Sequence, residues 1–201
     1  MPQDSPDGAQ LGNPGIWYVA YGSNMLPSRL RRYLPSRSEP LRARPVRLRN
    51  IVYFAGQSRV WGQSVAFLTP TADEHAPPRT LAVAYRVTES ELHDVAVGEN
   101  AVDFAFNGFL PSLVEVASAV ELPVIVDASP YRGKYNLLLR LDDIEGSPAY
   151  TVTTSRDLKR GRPAAGYLDV IARGLATAPN TRWSTTEAST YVGELCASGK
   201  V

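Results

Sequence analysis

Short runs of apolar and β-branched residues recur along the chain, each cut off by proline, glycine or small polar residues. The first, Ile16-Trp17-Tyr18-Val19-Ala20-Tyr21, contains no breaker and reads as a buried strand. It stops at Gly22-Ser23-Asn24, and the next stretch, "SNMLPSRLRRYL", reads as a turn leading into a short helix. Leu26, Leu30, Tyr33 and Leu34 fall on one side of that helix. "VRLRNIVYFA", "SVAFLTP" and "LAVAYRVT" read as strands, the last two separated by the proline-rich "PTADEHAPPR". Thr88 and Glu91 form a capping-box signature for the short helix "ESELHDVAV", expected to stop at Gly98. "SLVEVASAV", "LPVIVDA", "NLLLRLD" and "AYTVTT" are strand-like. "RPAAGYLDVIARGLA" has the clearest helical period, with Pro163 in its first turn and Tyr167, Val170, Ile171, Gly174 and Leu175 on one face. "STTEASTYVGELCASGK" suits a last helix. Many strands, few helices and no regular β-α-β alternation predict an α+β fold on an antiparallel or mixed sheet.

Composition narrows the picture. The chain has 201 residues, 44% of them hydrophobic, enough for one domain with a real core. Residues 1–15 are rich in Pro, Gly, Asp and Gln and are expected to be a disordered tail before a single domain over 16–201. Lysine plus arginine is 21 against 20 acidic residues, so nothing calls for nucleic acid or an anionic membrane. The arginines between Arg29 and Arg49 read as a solvated face. One cysteine, Cys196, leaves no internal disulfide and no thiolate metal cluster. With His75 and His93 as the two histidines, both expected at the surface, no metal site is predicted. No signal-like start and no apolar run of spanning length is present, so a cytoplasmic chain is expected.

Three places have the means for chemistry. Gly22 permits close approach to backbone N–H groups, and Ser23 and Asn24 add side-chain donors. Such a sequence is either a plain turn and cap or a cradle for a small anion. Glu99 lies among apolar neighbours in "AVGENAVDFAF". It is either a surface loop residue or a desolvated carboxylate able to move protons near neutral pH. Tyr167 sits on the apolar side of its helix, either as core or as a group holding ligand.

In order, "YVAYGSNM", "FAGQSRVWGQSVAFLTP", "LAVAYRVTESELHDVAVGEN" and "RPAAGYLDVIARGL" resemble the γ-glutamylcyclotransferase-like family over roughly residues 16–176. Tyr21-Gly22-Ser23-Asn24 matches its leading motif; Ser58, Trp61, Gly62 and Ala66 match a second; Glu99 stands where its glutamate should; Pro163 and Tyr167 keep the last. The resemblance implies a mostly antiparallel or mixed β-barrel flanked by a few helices, with a pocket at one mouth. It implies an acyltransferase that cyclises a γ-glutamyl amide or peptide to 5-oxoproline and releases the amine, without metal or organic cofactor. Glu99 would be the catalytic base and acid. Tyr18, Val19, Ala20, Tyr21, Gly22, Ser23, Asn24 and Tyr167 would bind a small γ-glutamyl substrate. The chain departs from the pattern at Ala96, Asn100 and Ala164. It also has Phe106 where a substrate-contacting tyrosine is expected, and an extra segment around 122–147. Two rival readings are a non-catalytic ligand-binding or interaction module on the same fold, and an acyl-transfer enzyme using Ser23 or Cys196.

Overall fold

The computed structural model describes residues 15–100, 113, 116–122, 133–181 and 183–198. The expected tail, apart from Gly15, lies outside them, as do Phe106 and most of "LPVIVDA". Six strands form one mixed sheet in the order β2-β5-β1-β8-β7-β6. They are β1 (Ile16–Ala20), β2 (Ala43–Leu48), β5 (Thr80–Val87), β6 (Ala119–Glu121), β7 (Leu137–Ile144) and β8 (Ser147–Thr153). β1 runs antiparallel to β5 and parallel to β8, and the other pairings are antiparallel. β1 is buried along its whole length, on both faces of the sheet, which is why its sequence does not alternate.

The α+β reading holds, but the sheet does not close into a barrel. β2 and β6 remain at its two edges. β3 (Val52–Ala55) and β4 (Val65–Leu68) form a separate two-stranded ribbon, so their ladder groups satisfy each other instead of bridging those edges. "VRLRNIVYFA", read as one strand, therefore divides between β2 and β3. The break falls at Asn50, whose Nδ2 donates to Thr69 O at 2.8 Å while Thr80 Oγ1 donates to Asn50 O. Single-residue bridges join the ribbon to the C-terminal segment, at Ala55–Arg160 and Ser64–Pro163.

The helices deliver groups to one end of this framework. The expected helix after β1 is broken into a 3₁₀ turn (Ser23–Met25), α1 (Pro27–Leu30) and a second 3₁₀ turn (Arg31–Tyr33). Pro27 suits the first turn of α1 but has no N–H to continue the preceding turn. α2 spans Glu89–Glu99 with the capping box formed as predicted: Thr88 Oγ1 accepts from Glu91 N and Glu91 Oε2 from Thr88 N. It does not stop at Gly98. Gly98 lies flat against Tyr33, where a Cβ would come within 2.2 Å of the ring, and Glu99 closes the helix. α3 (Ala165–Thr177) begins past Pro163, which stands ahead of the N-cap Ala164 instead of in the first turn. α4 (Thr185–Ser198) packs on α3. The stretch 122–147 contains all of β7, a strand of the main sheet.

Gly174 fixes how closely α3 lies against the Gly22–Leu26 turn. A Cβ there would stand 2.6 Å from Leu26 N and 2.7 Å from Met25 C, against backbone that cannot step aside. Gly174→Ala is expected to destabilise the protein by about 1–3 kcal/mol, the usual range for overpacking, although alanine is the better helix former. Chemical denaturation checks this; a more stable variant would contradict the close contact.

Candidate active site

The residues between β1 and α1 turn inward at the end of the sheet. Asn24 is 3% exposed, and its Nδ2 donates to two oxygens, Tyr18 Oη at 3.1 Å and Glu99 Oε1 at 2.6 Å. One amide thus ties the first strand to the last residue of α2. Tyr33 lies close enough to Glu99 to favour its charged form. Glu99 keeps some surface contact through the cavity, yet protein atoms crowd its carboxylate. That burial pushes its pKa above the ordinary 4.5, against the opposing pull of Asn24, Arg29, Tyr33 and Lys134. The balance favours a carboxylate that accepts and returns a proton nearer neutrality than a free glutamate does.

Tyr18, Tyr21, Gly22, Ser23, Asn24, Glu99 and Tyr167 line one narrow cavity together with Ala66, Tyr135 and Val152. It shares Ser23, Glu99, Tyr135 and Tyr167 with an outer chamber of about 170 Å³. Arg29, Tyr33, Trp61 and Lys134 also line that chamber. Val19 and Ala20 reach neither part. They are taken up by the sheet, paired with Ala84 and Val83, and Val19 O accepts from Thr151 Oγ1.

Tyr167 is placed with unusual specificity. Its phenol oxygen accepts the Ala66 N–H at 3.0 Å, and the nearby Ser23 N–H acts to lower its pKa. A Cβ on Gly22 would come within 2.9 Å of it, so glycine is required there. The Tyr167 hydroxyl therefore lies against the turn, at the spot expected for an anion. Its oxygen takes the Ala66 donor and keeps its own proton to offer. Burial raises its pKa, so the hydroxyl remains protonated.

The Ser58–Gly62 loop forms the roof. Ser58 Oγ accepts from Val60 N and Trp61 N, and Gly62 turns at φ 69°, a left-handed conformation suited to glycine. This sets the Trp61 ring 5.2 Å from that of Tyr167 and beneath the Arg29 guanidinium, 4.9 Å from its centroid. Among the described residues, Arg29 Nε has no hydrogen-bond partner. Lys134 Nζ donates to Gln57 O, and burial lowers its pKa while Glu99 raises it.

Sequence reasoning did not single out Arg29, Tyr33, Lys134 or Tyr135 as site residues. Tyr33 lies on the broken helix and was assigned to its apolar face. Lys134 and Tyr135 follow Glu99 at a distance no motif spacing marks. Tyr135 brings a hydroxyl to the site, donating to Ala66 O at 3.2 Å, with its ring stacked 4.8 Å from that of Phe67. Of the rival nucleophiles, Ser23 lines the cavity, whereas Cys196 is exposed on α4. Among the described residues no cluster of His, Cys, Asp or Glu could hold a metal, and no helix is long and apolar enough to cross a membrane.

Folding penalises the Glu99 charge, so the folded state holds that proton more tightly than the unfolded chain. Its protonated form adds stability below the unfolded value, and this is lost as pH rises from about 4.5 through the raised folded value. Glu99→Gln is expected to be the more stable protein at neutral pH, with the higher Tm. The gap should narrow toward pH 4; melting curves across that range check it, and a gap that widens on acidification would contradict the sign.

No protein-family model matches the sequence, and neither does any curated protein. Solved structures do match. A γ-glutamyl cyclotransferase aligns over 90% of this chain and 99% of its own length at 15% identity, with a TM-score of 0.51. The human uncharacterized protein loc79017 aligns over 90% of this chain and 86% of its own at 16% identity, also at 0.51. YkqA from Bacillus subtilis aligns over 90% of this chain and 55% of its own, at 17% and 0.51. At such identities the likeness speaks for the fold: this chain has the γ-glutamylcyclotransferase-like fold.

Proposed function

We propose that the protein cyclises a γ-glutamyl amide, releasing 5-oxoproline and an amine. The observation that carries the proposal is the Glu99 carboxylate, held at 2.6 Å by Asn24 in a cavity it shares with the Gly22–Ser23 turn and Tyr167. The substrate's α-ammonium gives a proton to Glu99, and its nitrogen lone pair attacks the γ-carbonyl carbon of the same molecule. The new C–N bond closes a five-membered ring while the carbonyl π pair moves to oxygen. When that pair returns, the original C–N bond breaks and Glu99 gives its proton to the departing nitrogen. The ring nitrogen still carries a second hydrogen and a positive charge; Glu99 takes that proton and passes it to the released amine, leaving a neutral lactam and an ammonium product. Atoms and charge then balance without any other reactant. Nucleophile and target belong to one molecule, so holding the bent conformer supplies much of the rate.

In this reading the oxyanion donor is the Tyr167 hydroxyl rather than a bare backbone amide. The Ala66 N–H fixes its oxygen, so its proton is already oriented before charge develops. Arg29, pinned flat on Trp61 with Nε unpaired among the described residues, and Lys134 give the outer chamber a positive wall facing one carboxylate. That wall suits a substrate carboxylate.

The test is release of 5-oxoproline from a panel of γ-glutamyl dipeptides and γ-glutamyl amines. Glu99→Gln is expected to lower kcat by roughly 10²–10⁴-fold; activity surviving that change removes the base assignment. Tyr167→Phe is expected to lower kcat by about 10²-fold or more. Arg29→Ala is expected to raise KM by roughly 10-fold or more. It also removes a cation that holds down the Glu99 pKa, so the acid limb of kcat/KM should move to higher pH. Binding of the panel without product from any member would favour the non-catalytic module.

A further inference from the structure

Asn100 follows Glu99 directly and is fully buried. Its backbone is right-handed helical (φ −88°, ψ −3°), so no turn conformation demands an asparagine here. The side chain is committed elsewhere. Nδ2 donates to Ala96 O at 2.8 Å, in the last turn of α2, and to Tyr135 O at 3.0 Å. Oδ1 accepts from Tyr135 N at 2.9 Å, and the Asn100 carbonyl accepts from Gly133 N at 3.4 Å. Both donors and the acceptor of one carboxamide are used, and two of the three bonds go to the peptide groups of a single residue. The pattern is that of one strand residue pairing with another, supplied here by a side chain to Tyr135, two residues before β7 begins. It joins the chain on either side of residues 101–132 next to the cavity.

We infer that Asn100 is a positioning residue: its carboxamide fixes the backbone of Tyr135 beside Glu99 and so places the Tyr135 ring as a wall of the cavity. The inference that this placement matters for turnover rests on the proposed cyclisation; the clamp itself does not. Alternatives to asparagine fail for stated reasons. Aspartate would keep the acceptor for Tyr135 N–H but set lone pairs against two carbonyl oxygens. Alanine would leave a buried N–H and two carbonyls without partners. Lys134 lies inside the same clamped segment, so loss of the clamp also frees the cation that faces Glu99.

Two measurements test this. Amide hydrogen exchange, read without any substrate, compares the wild type with Asn100→Ala, and with Asn100→Ser should the alanine variant not fold. The Tyr135 amide is expected to exchange at least ~10-fold faster in the variant while the β1 and β5 amides hold their protection. An unchanged Tyr135 amide overturns the clamp, whatever the enzyme does. The second is a double-mutant cycle in kcat below the melting range. Asn100→Ala is expected to lower kcat by about 10- to 100-fold in the wild type and by far less in a Tyr135→Ala background. Losses that simply multiply would mean that Asn100 does not act through Tyr135. If no γ-glutamyl compound yields product even with the wild type, the proposed function falls, and the exchange result still decides the clamp.

Discussion

A carboxylate crowded by protein must find its hydrogen bonds and counter-charge within the fold, and the whole end of this molecule is arranged around that constraint. Glu99 takes an amide donor from Asn24 in the turn after β1, and Tyr33, Arg29 and Lys134 also favour its charged form. Three of those four residues lie on the broken helix after β1, and the fourth stands just before β7. None of the segments that bear them could be displaced far without leaving a buried charge poorly compensated, which is costly. The site is therefore also a structural node, where α2, the broken helix after β1 and the segment entering β7 meet around Glu99.

Around that node the small residues act through what they leave out. Gly98 makes room for the Tyr33 ring, Gly22 for the Tyr167 hydroxyl, and Gly174 for the backbone of Met25 and Leu26. Each lets two polar or aromatic groups approach closely enough to reach Glu99 or the turn beside it. The Ala66 peptide is used on both sides, donating to Tyr167 and accepting from Tyr135. Two tyrosines from distant elements are thereby set by one β4 residue.

Much of this was legible in local sequence. The Thr88–Glu91 capping box announced the start of α2, because its four groups lie within one turn. The unbroken apolar run of β1 announced a buried strand. Tyr-Gly-Ser-Asn and Glu99 were legible as a pair through their order in a family pattern, not through any local signal. The end of α2 was misread, because Gly98 was assigned the common role of helix terminator when its lack of a side chain serves a contact with Tyr33. Closure into a barrel was expected from the resemblance. It did not occur because β3 and β4 pair with each other and leave β2 and β6 at open edges.

By itself, then, the sequence determined the elements, the α+β class and two anchors of the candidate site, since these rest on hydrophobic period, capping and turn chemistry within a few residues. Only the tertiary structure decided which oxygen fills the Gly22–Ser23 turn, which cations face Glu99, and that Asn100 grips Tyr135 across residues 101–132. Those choices are made by groups far apart in the chain. They become partners only when burial removes the water that would otherwise satisfy them.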